Sequence, residues 1–262
     1  MPEGHTIHRL ARDHRRDFGG RPVAASSPQG RFAEGAARID GSVAQRFEAW
    51  GKHEFAWLSS GDVLHVHLGL IGTWVRHPVP ALDPVGQVRL RLVGEAHAWD
   101  LSGPAICTLL TPEEVDARVA RLGPDPLRPD ADPGRFVSRV RRSGAPIGGL
   151  LLDQSVIAGV GNVYRAEVLW ELGIHPTRPG RSLDEGTLQA MWDWLAHQLR
   201  LGVRRNRIVT VDPGELGKAI REVRRGEGVA VYHQEACRRC GRPMATLRVA
   251  GRRIEACLAC QT

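Results

Sequence analysis

Four cysteines near the C-terminus constrain the fold of this chain more than any other feature. They form two Cys-x-x-Cys pairs, Cys237 with Cys240 and Cys257 with Cys260. Two such pairs joined by a short hairpin suit one tetrahedral zinc ion. Disulfides are disfavoured, because the opening Met-Pro-Glu-Gly-His has neither the basic nor the apolar region of a secretion signal. The spacing therefore predicts one structural Zn²⁺ held by all four cysteines.

The first part of the chain has the pattern of a β-sandwich or barrel. Apolar and polar residues alternate over 64–68 and 88–92, and prolines and glycines punctuate the segment from about 21 to 110. A helical spacing of apolar residues over 5–18 comes before these strands. We expect a sheet domain with a short helix at its start.

The second part has the pattern of packed helices. Residues 123–134 contain four prolines and two glycines and predict a linker. Further on, Ser182 and Glu185 predict a capping box at the start of a helix. Its apolar face is formed by Leu188, Met191, Leu195 and Leu199. We expect domains at 1–122, 135–228 and 229–262, with 123–134 as the linker.

The charge of the chain indicates a polyanionic partner. Its 36 Lys and Arg residues exceed its 29 Asp and Glu residues, which gives a formal net charge of +7. A basic surface suits nucleic acid, although solvation alone explains it equally well. No apolar run reaches the roughly 18 residues of a membrane helix, so we expect a cytoplasmic protein that has no membrane partner.

Lysine is rare among the basic residues, since all but Lys52 and Lys218 are arginine. A desolvated lysine can lose its proton, which an arginine cannot do. Both lysines are therefore candidates for a chemical role, although a solvated surface lysine is the ordinary alternative.

A glycine-rich corner offers a phosphate site. Gly159 and Gly161 permit a tight turn, and Asn162 is placed to cap the next helix. Backbone amides at a helix N-terminus bind phosphate readily. Taken alone, the pattern fits an ordinary corner between packed helices at least as well.

Several motifs occur together in one order. They are Met-Pro-Glu-Gly at the start, Gly51-Lys52, His-Leu-Gly-Leu-Ile-Gly over 67–72, Arg-Leu-Gly-Pro-Asp over 121–125, Leu-Asp-Gln over 152–154 and the cysteine pairs. This order resembles the formamidopyrimidine-DNA glycosylase/endonuclease VIII family of base-excision repair enzymes, and most of all its actinobacterial endonuclease VIII branch. The resemblance covers essentially the whole chain. It implies an α+β multidomain fold with an N-terminal β-sandwich and flanking helix, a helix–two-turns–helix domain and a zinc-binding β-hairpin.

The resemblance also implies the reaction. It predicts a monomeric bifunctional DNA glycosylase and abasic-site lyase that acts on duplex DNA with oxidised pyrimidines or abasic sites. Pro2, freed by removal of Met1, would be the nucleophile, since an α-amino group titrates near pKa ~8. Glu3 would be the acid–base group, and Lys52 would donate a proton near the damaged sugar.

The resemblance assigns DNA contacts as well. It implies that Arg121 and Asn162 hold phosphates and that Arg252 on the zinc hairpin assists the elimination, unless a shift in hairpin register puts Arg253 there. Leu70 and Ile71 would fill the gap left by a flipped lesion, or else they belong to the sandwich core.

Three positions depart from the family pattern. Thr6 stands where the family has a glutamate, Gly69 replaces a glutamine found in some relatives, and Glu255-Ala256 replaces the usual aromatic residues. The first two leave the lesion preference open. His65 and His67 share a strand face but lack a visible third ligand, so we expect packing or surface roles.

Two other functions remain as alternatives. One is a non-catalytic protein of the same fold that only binds damaged DNA, which intact Pro2, Glu3 and Lys52 disfavour. The other is an RNA-binding zinc-ribbon protein, which the Pro-Glu start disfavours.

Overall fold

The structure, a computed structural model, describes residues 2–224 and 226–262. The chain divides into two compact units, Met1–Arg121 and Leu122–Thr262. Within the described ranges, no helix is both long and apolar enough to cross a membrane.

The first unit is built from two four-stranded sheets. Its strands are β1 (Ala24–Ser26), β2 (Ala44–Trp50), β3 (His53–Leu58), β4 (Val63–His67), β5 (Thr73–Pro78), β6 (Val88–Val93), β7 (His97–Ser102) and β8 (Ile106–Leu110). One sheet has the order β1-β6-β7-β5 and the other β2-β3-β4-β8, and all the pairs are antiparallel. The predicted β-sandwich is therefore confirmed.

Helices flank both faces of the second sheet. They are α1 (Gly4–Phe18), α2 (Ala33–Ile39) and α3 (Pro112–Val119). Ile7 and Phe18 of α1 are buried in the same core as Phe47 of β2 and Leu101 of β7. On the opposite face, Val115 of α3 joins a small cluster with β3 and β4. Burial of these apolar side chains stabilises the layered arrangement.

The second unit is helical and ends in a hairpin. Its elements are α4 (Pro133–Arg141), α5 (Ile147–Leu150), α6 (Asn162–Glu171), α7 (Glu185–Arg205), α8 (Pro213–Leu216), β9 (Ala245–Val249) and β10 (Arg252–Ala256). Successive turns connect α5 to α6. The apolar face predicted for α7 is fully buried in the core of this unit, which confirms the helical periodicity.

Two predicted helix caps are wrong. Ser182 lies in a short 3₁₀ turn, and Asp184 caps α7 instead by accepting a hydrogen bond from Thr187 N at 2.8 Å. Asn162 is the first helical residue of α6, and the extended Gly161 precedes it as the N-cap. Asn162 therefore does not occupy the N-cap position.

The segment predicted as a linker begins as an ordered part of the second unit. Gly123 N donates to Gln154 O at 2.9 Å, and Ala158 N donates to Pro124 O at 3.0 Å. Residues 123–126 are buried. The prolines shape a packed turn here, because their fixed φ angles lower the entropy cost of holding it.

Candidate active site and metal centre

Pro2 and Glu3 lie directly before the first helix. Pro2 is half-buried, whereas Glu3 is fully buried and precedes α1 with an extended backbone. The carbonyl of Glu3 accepts a hydrogen bond from Thr6 N at 2.9 Å and so begins the helix. The position-2 nitrogen therefore has a buried carboxyl-bearing residue as its immediate neighbour, at the positive end of the helix dipole.

Lys52 lies at the tip of the hairpin between β2 and β3. Trp50 pairs with His53, so only Gly51 and Lys52 form the turn. Gly51 has φ +58°, the left-handed conformation that a two-residue hairpin turn requires. The tight turn presents the half-buried Lys52 side chain at the end of the sheet.

The loop between β4 and β5 carries two exposed apolar side chains. Leu70 is 58% exposed and Ile71 is 81% exposed. Gly72 N donates to Leu68 O at 3.0 Å, which closes the loop into a compact turn. The alternative prediction, that Leu70 and Ile71 belong to the sandwich core, is therefore wrong, because both side chains are exposed.

Arg121 is exposed at the end of the first unit, just after α3. Asn162 lies in the second unit, where its side-chain oxygen accepts a hydrogen bond from Arg165 at 3.2 Å. Arg165 is fully buried and also donates to the carbonyls of Gly148 and Arg253, at 3.2 Å and 2.8 Å. One buried guanidinium thus connects the start of α6 with the β9–β10 hairpin.

The two hairpin arginines have different surroundings. Arg252 pairs with Val249 beside the turn and is exposed. Arg253 is also exposed, but its Nε donates to the buried carboxylate of Glu255 at 2.9 Å. The guanidinium of Arg253 is therefore held at β10, whereas that of Arg252 faces solvent.

Glu167 is a residue that the sequence reasoning missed. It is buried in α6, and its carboxylate accepts hydrogen bonds from the backbone amides of Ala230, Val231 and Tyr232 at 2.7–2.9 Å. Thr210 Oγ1 also donates to it. Glu167 thereby joins both ends of the 210–232 segment. Its neighbours Ala166 and Val168 are apolar, and a carboxylate among apolar residues in a helix was the available signal.

The four cysteines form one cluster. All of their sulfurs lie within 4.8 Å of one another, with Cys237 Sγ 3.9 Å from Cys260 Sγ and Cys240 Sγ 3.5 Å from Cys257 Sγ. A Zn–S bond of about 2.3 Å places tetrahedral sulfurs about 3.8 Å apart. The spacing therefore fits a four-thiolate metal site.

The surroundings of Cys237 favour its thiolate, whereas hydrogen bonding with Cys240 raises the pKa of Cys260 to about 12. Trp170 Nε1 donates to Cys237 Sγ at 3.3 Å. Although burial acts in the opposite direction, this hydrogen bond and those from the backbone of Cys240 and Arg239 lower the pKa of Cys237 to about 6. Metal ions bind the thiolate form of cysteine.

The histidine pair and Lys218 lie outside the cysteine cluster. Among the described residues, the cysteine cluster is the only group of three or more His, Cys, Asp or Glu side chains that could hold a metal ion. His65 and His67 pack against other side chains of their sheet face. Lys218 forms an ion pair with Glu227 at 3.1 Å.

Comparison with known proteins identifies the family. Residues 1–101 match the N-terminal domain of formamidopyrimidine-DNA glycosylase, and residues 122–212 match its H2TH domain. The chain is 47% identical to endonuclease 8 1 of Mycobacterium tuberculosis over the full length of both proteins. It is 30% identical to the formamidopyrimidine-DNA glycosylase of Herpetosiphon aurantiacus, over 83% of this chain and 81% of that one.

Solved structures show the same fold. The Lactococcus lactis formamidopyrimidine-DNA glycosylase, in a complex with DNA that contains an abasic site, matches with a TM-score of 0.81 at 23% identity. The match covers 99% of each chain. These matches extend over both units. The chain therefore belongs to the formamidopyrimidine-DNA glycosylase/endonuclease VIII family of DNA repair glycosylases.

Proposed function

We propose that this protein removes oxidised pyrimidines from duplex DNA and then cleaves the strand at the abasic site. The observation that carries the proposal is the pairing of a half-exposed Pro2 with a fully buried Glu3 at the start of α1. A secondary amine of pKa ~8 is partly neutral at pH 7 and nucleophilic. A buried carboxyl beside it offers an acid–base group.

The proposed chemistry passes through a Schiff base. After Met1 is removed, the nitrogen of Pro2 attacks C1′, and the base leaves with the electrons of its glycosidic bond and a proton. The C1′–O4′ bond then breaks as the ring oxygen takes up a proton, and the nitrogen lone pair forms an iminium with C1′. This iminium acidifies the proton on C2′. Loss of that proton breaks the C3′–O bond and expels the 3′-phosphate, and a second elimination expels the 5′-phosphate.

Glu3 and Lys52 are proposed to move protons in these steps. Glu3 protonates the sugar oxygen as the ring opens. Attack on a damaged nucleoside requires this proton transfer, because the sugar of a nucleoside is a closed ring. Lys52, at the tip of a two-residue turn, donates a proton near the sugar. Both residues lie in the first unit with Pro2.

We propose that five residues contact the DNA. Arg121, Asn162 and Arg252 hold phosphates, and the exposed Leu70 and Ile71 fill the gap left by the flipped lesion. Arg252 is preferred over Arg253, because the guanidinium of Arg253 is engaged by Glu255.

One structural Zn²⁺, held by the four cysteines, would fix the fold of the hairpin that carries Arg252.

The choice of pyrimidines rests on the full-length similarity to endonuclease 8 1. The alternative to the proposed enzyme is a protein of the same fold that binds damaged DNA and catalyses no reaction. We propose that the enzyme acts in the cytoplasm and is a monomer. Sedimentation of the purified protein with and without duplex DNA would test the monomeric state.

Borohydride trapping tests the central proposal. The purified protein is incubated with a duplex that contains one abasic site, and borohydride is added to reduce an iminium to a stable amine. We expect a covalent protein–DNA adduct whose peptide map places the link on Pro2. Pro2→Gly restores a primary amine and should trap more slowly. DNA binding without an adduct would instead establish the binding-protein alternative.

A further inference from the structure

Three histidines form a stack on the outer face of the second sheet. His53 opposes His67 across the β3–β4 pair, and Phe55 opposes His65. The ring centroids of His53 and His65 are 5.1 Å apart, those of His53 and His67 are 4.8 Å apart, and those of Phe55 and His65 are 4.9 Å apart. His53 was missed by the sequence reasoning, since it comes beside the other two only through strand pairing.

The stack is adjacent in sequence to two candidate functional segments. His53 is the first residue of β3 and follows Lys52 in the chain, and His67 is the last residue of β4 and precedes the 68–72 loop. Antiparallel pairing brings the start of β3 and the end of β4 to the same end of the sheet. The hairpin turn that carries Lys52 and the loop that carries Leu70 therefore share this support.

Hydrogen bonds assign a proton to each ring. Gly69 N donates to His67 Nδ1 at 3.1 Å, so the proton of a neutral His67 is on Nε2. His53 Nδ1 lies 2.9 Å from His65 Nε2. His65 Nδ1 is buried and has no hydrogen-bond partner among the described residues. An orphaned N–H is rarer than an orphaned acceptor, so we assign His65 Nε2–H as the donor to His53 Nδ1.

The charges around the stack keep the rings neutral. Burial, followed by the charges of His67, Arg118 and Lys52, lowers the pKa of His53 to about 3. Burial also lowers the pKa of His65 to about 3. The groups facing the stack from the turn and from α3, Lys52 and Arg118, are both cationic.

One carboxylate lies on the same sheet face: Glu48 of β2 opposes Phe55, and it accepts a hydrogen bond from Trp57 Nε1 at 3.2 Å. Across the strand pairs, Trp50 of β2 opposes His53, whereas Ile106 and Thr108 of β8 oppose His67 and His65. A proton on His53 Nδ1 or His67 Nδ1 would therefore break a hydrogen bond and add a third positive charge.

We propose that His53, His65 and His67 are positioning residues that hold the Lys52 turn and the 68–72 loop in one geometry. They act through the bond from His65 to His53 and the bond from Gly69 to His67. The inference deepens the proposed function, because it rests on Lys52 and the 68–72 loop acting on DNA. A small displacement of a catalytic group lowers a reaction rate strongly, so the stack influences the rate of base excision through the positions of Lys52 and the 68–72 loop.

Matched variants at position 65 test the role of the hydrogen bond. His65→Phe keeps an aromatic ring beside Phe55 but removes the donor, whereas His65→Gln keeps an amide donor near the Nε2 position. His197→Phe makes the same change at an exposed site of α7 and is the control. Hydrogen exchange of the backbone amides is measured first, since it requires no activity.

We expect His65→Phe to speed exchange in both 51–53 and 68–72 and to leave β6 and β7 unchanged. Exchange at wild-type rates in the first two segments would overturn the inference. Long-range ¹H–¹⁵N spectra should show the proton on Nε2 of all three histidines at pH 8, and on Nε2 of His53 and His65 down to pH 5. A neutral His53 or His67 ring with its proton on Nδ1 would overturn the inference as well.

Single-turnover excision gives the functional result. We expect His65→Phe to slow excision of an oxidised pyrimidine roughly tenfold. Its Kd for a duplex with an uncleavable tetrahydrofuran site should stay within about threefold of wild type, and His65→Gln should recover most of the rate. An equal loss in His197→Phe, or no recovery with His65→Gln, would contradict the positioning role. If the wild-type protein excises no oxidised pyrimidine, the proposed function is refuted. The hydrogen-exchange result would still test whether the stack holds the two segments.

Discussion

The guanidinium of Arg165 donates a hydrogen bond to the side-chain oxygen of Asn162, one turn earlier in α6, at 3.2 Å. The same nitrogen donates to the carbonyl of Arg253 at 2.8 Å. A proposed phosphate ligand and the strand that carries a second one therefore share a single buried donor. This relationship makes Arg165 a test of how the second unit organises its contacts.

Arg165→Met should weaken both the fold and DNA binding. It removes a buried donor from Asn162, Arg253 and the buried carbonyl of Gly148. A buried acceptor left unsatisfied costs about 1–3 kcal/mol, and the two partly buried acceptors cost less. We expect the free energy of unfolding to fall by about 3 kcal/mol in urea titrations, and the Kd for a tetrahydrofuran duplex to rise about tenfold. Arg178→Met, at a half-buried arginine whose side chain donates only to nearby Ser182 in the described structure, is the control. Unchanged affinity in a folded Arg165→Met protein would contradict the assignment of Asn162.

Replacement of both Leu70 and Ile71 by alanine should separate stability from excision. Both side chains are exposed, so the free energy of unfolding should change by no more than about 0.5 kcal/mol. Excision from duplex DNA should fall roughly tenfold, because no apolar wedge then offsets the cost of unstacking the lesion. Leu82→Ala, at a side chain that is 88% exposed in another loop, should excise at the wild-type rate. Equal rates for the double variant and wild type would exclude the gap-filling role.

Glu3→Gln should distinguish base removal from strand cleavage. The substitution keeps the size of the buried side chain and the amine of Pro2, but it removes the titratable carboxyl. Base excision should fall about a hundredfold or more, as expected for loss of a general acid. An abasic site has already lost its base, so cleavage there should persist in part. Wild-type excision of thymine glycol by Glu3→Gln would refute the role of Glu3.

Cys240→Ser should abolish metal binding and, with it, DNA binding. A structural zinc site contributes its binding free energy to the folding of a small domain. We expect elemental analysis to find one zinc per wild-type chain and none in the variant, while amide exchange in β2–β4 stays unchanged. Cys107→Ser is the control. Burial raises the pKa of Cys107 to about 12, and this cysteine lies outside the cluster, so this variant should retain zinc. Full zinc content in Cys240→Ser would contradict a four-cysteine site.

The stability of the first unit should depend on His65 at acidic pH. The pKa of His65 falls from 6.5 to about 3 on folding, so between these values the unfolded state binds a proton that the folded state does not. This contribution to stability is complete above pH 6.5 and is lost as the pH falls toward 3. His65→Phe should make the slope of unfolding free energy against pH shallower by about 1.4 kcal/mol per unit, in urea titrations between about pH 4 and 5.5. Identical slopes would show that His65 is protonated alike in both states.

Features that depend on neighbouring residues could be predicted from the sequence. The two Cys-x-x-Cys pairs, the period-two alternation over 64–68 and the apolar face of α7 each reflect short-range geometry, in which spacing along the chain sets direction in space. Helix caps were less predictable. Asp184 and Gly161 took the N-cap positions expected for Ser182 and Asn162, because packing of the preceding turn decides where a helix begins.

The order of motifs along the chain determined the family and the candidate residues Pro2, Glu3 and Lys52, because each motif is read locally. Only the tertiary structure decided what surrounds them. Glu167 meets the amides of Ala230–Tyr232 more than 60 residues away, and His53 meets His65 through strand register. Such contacts form when distant segments pack, and their register is set by burial of whole faces.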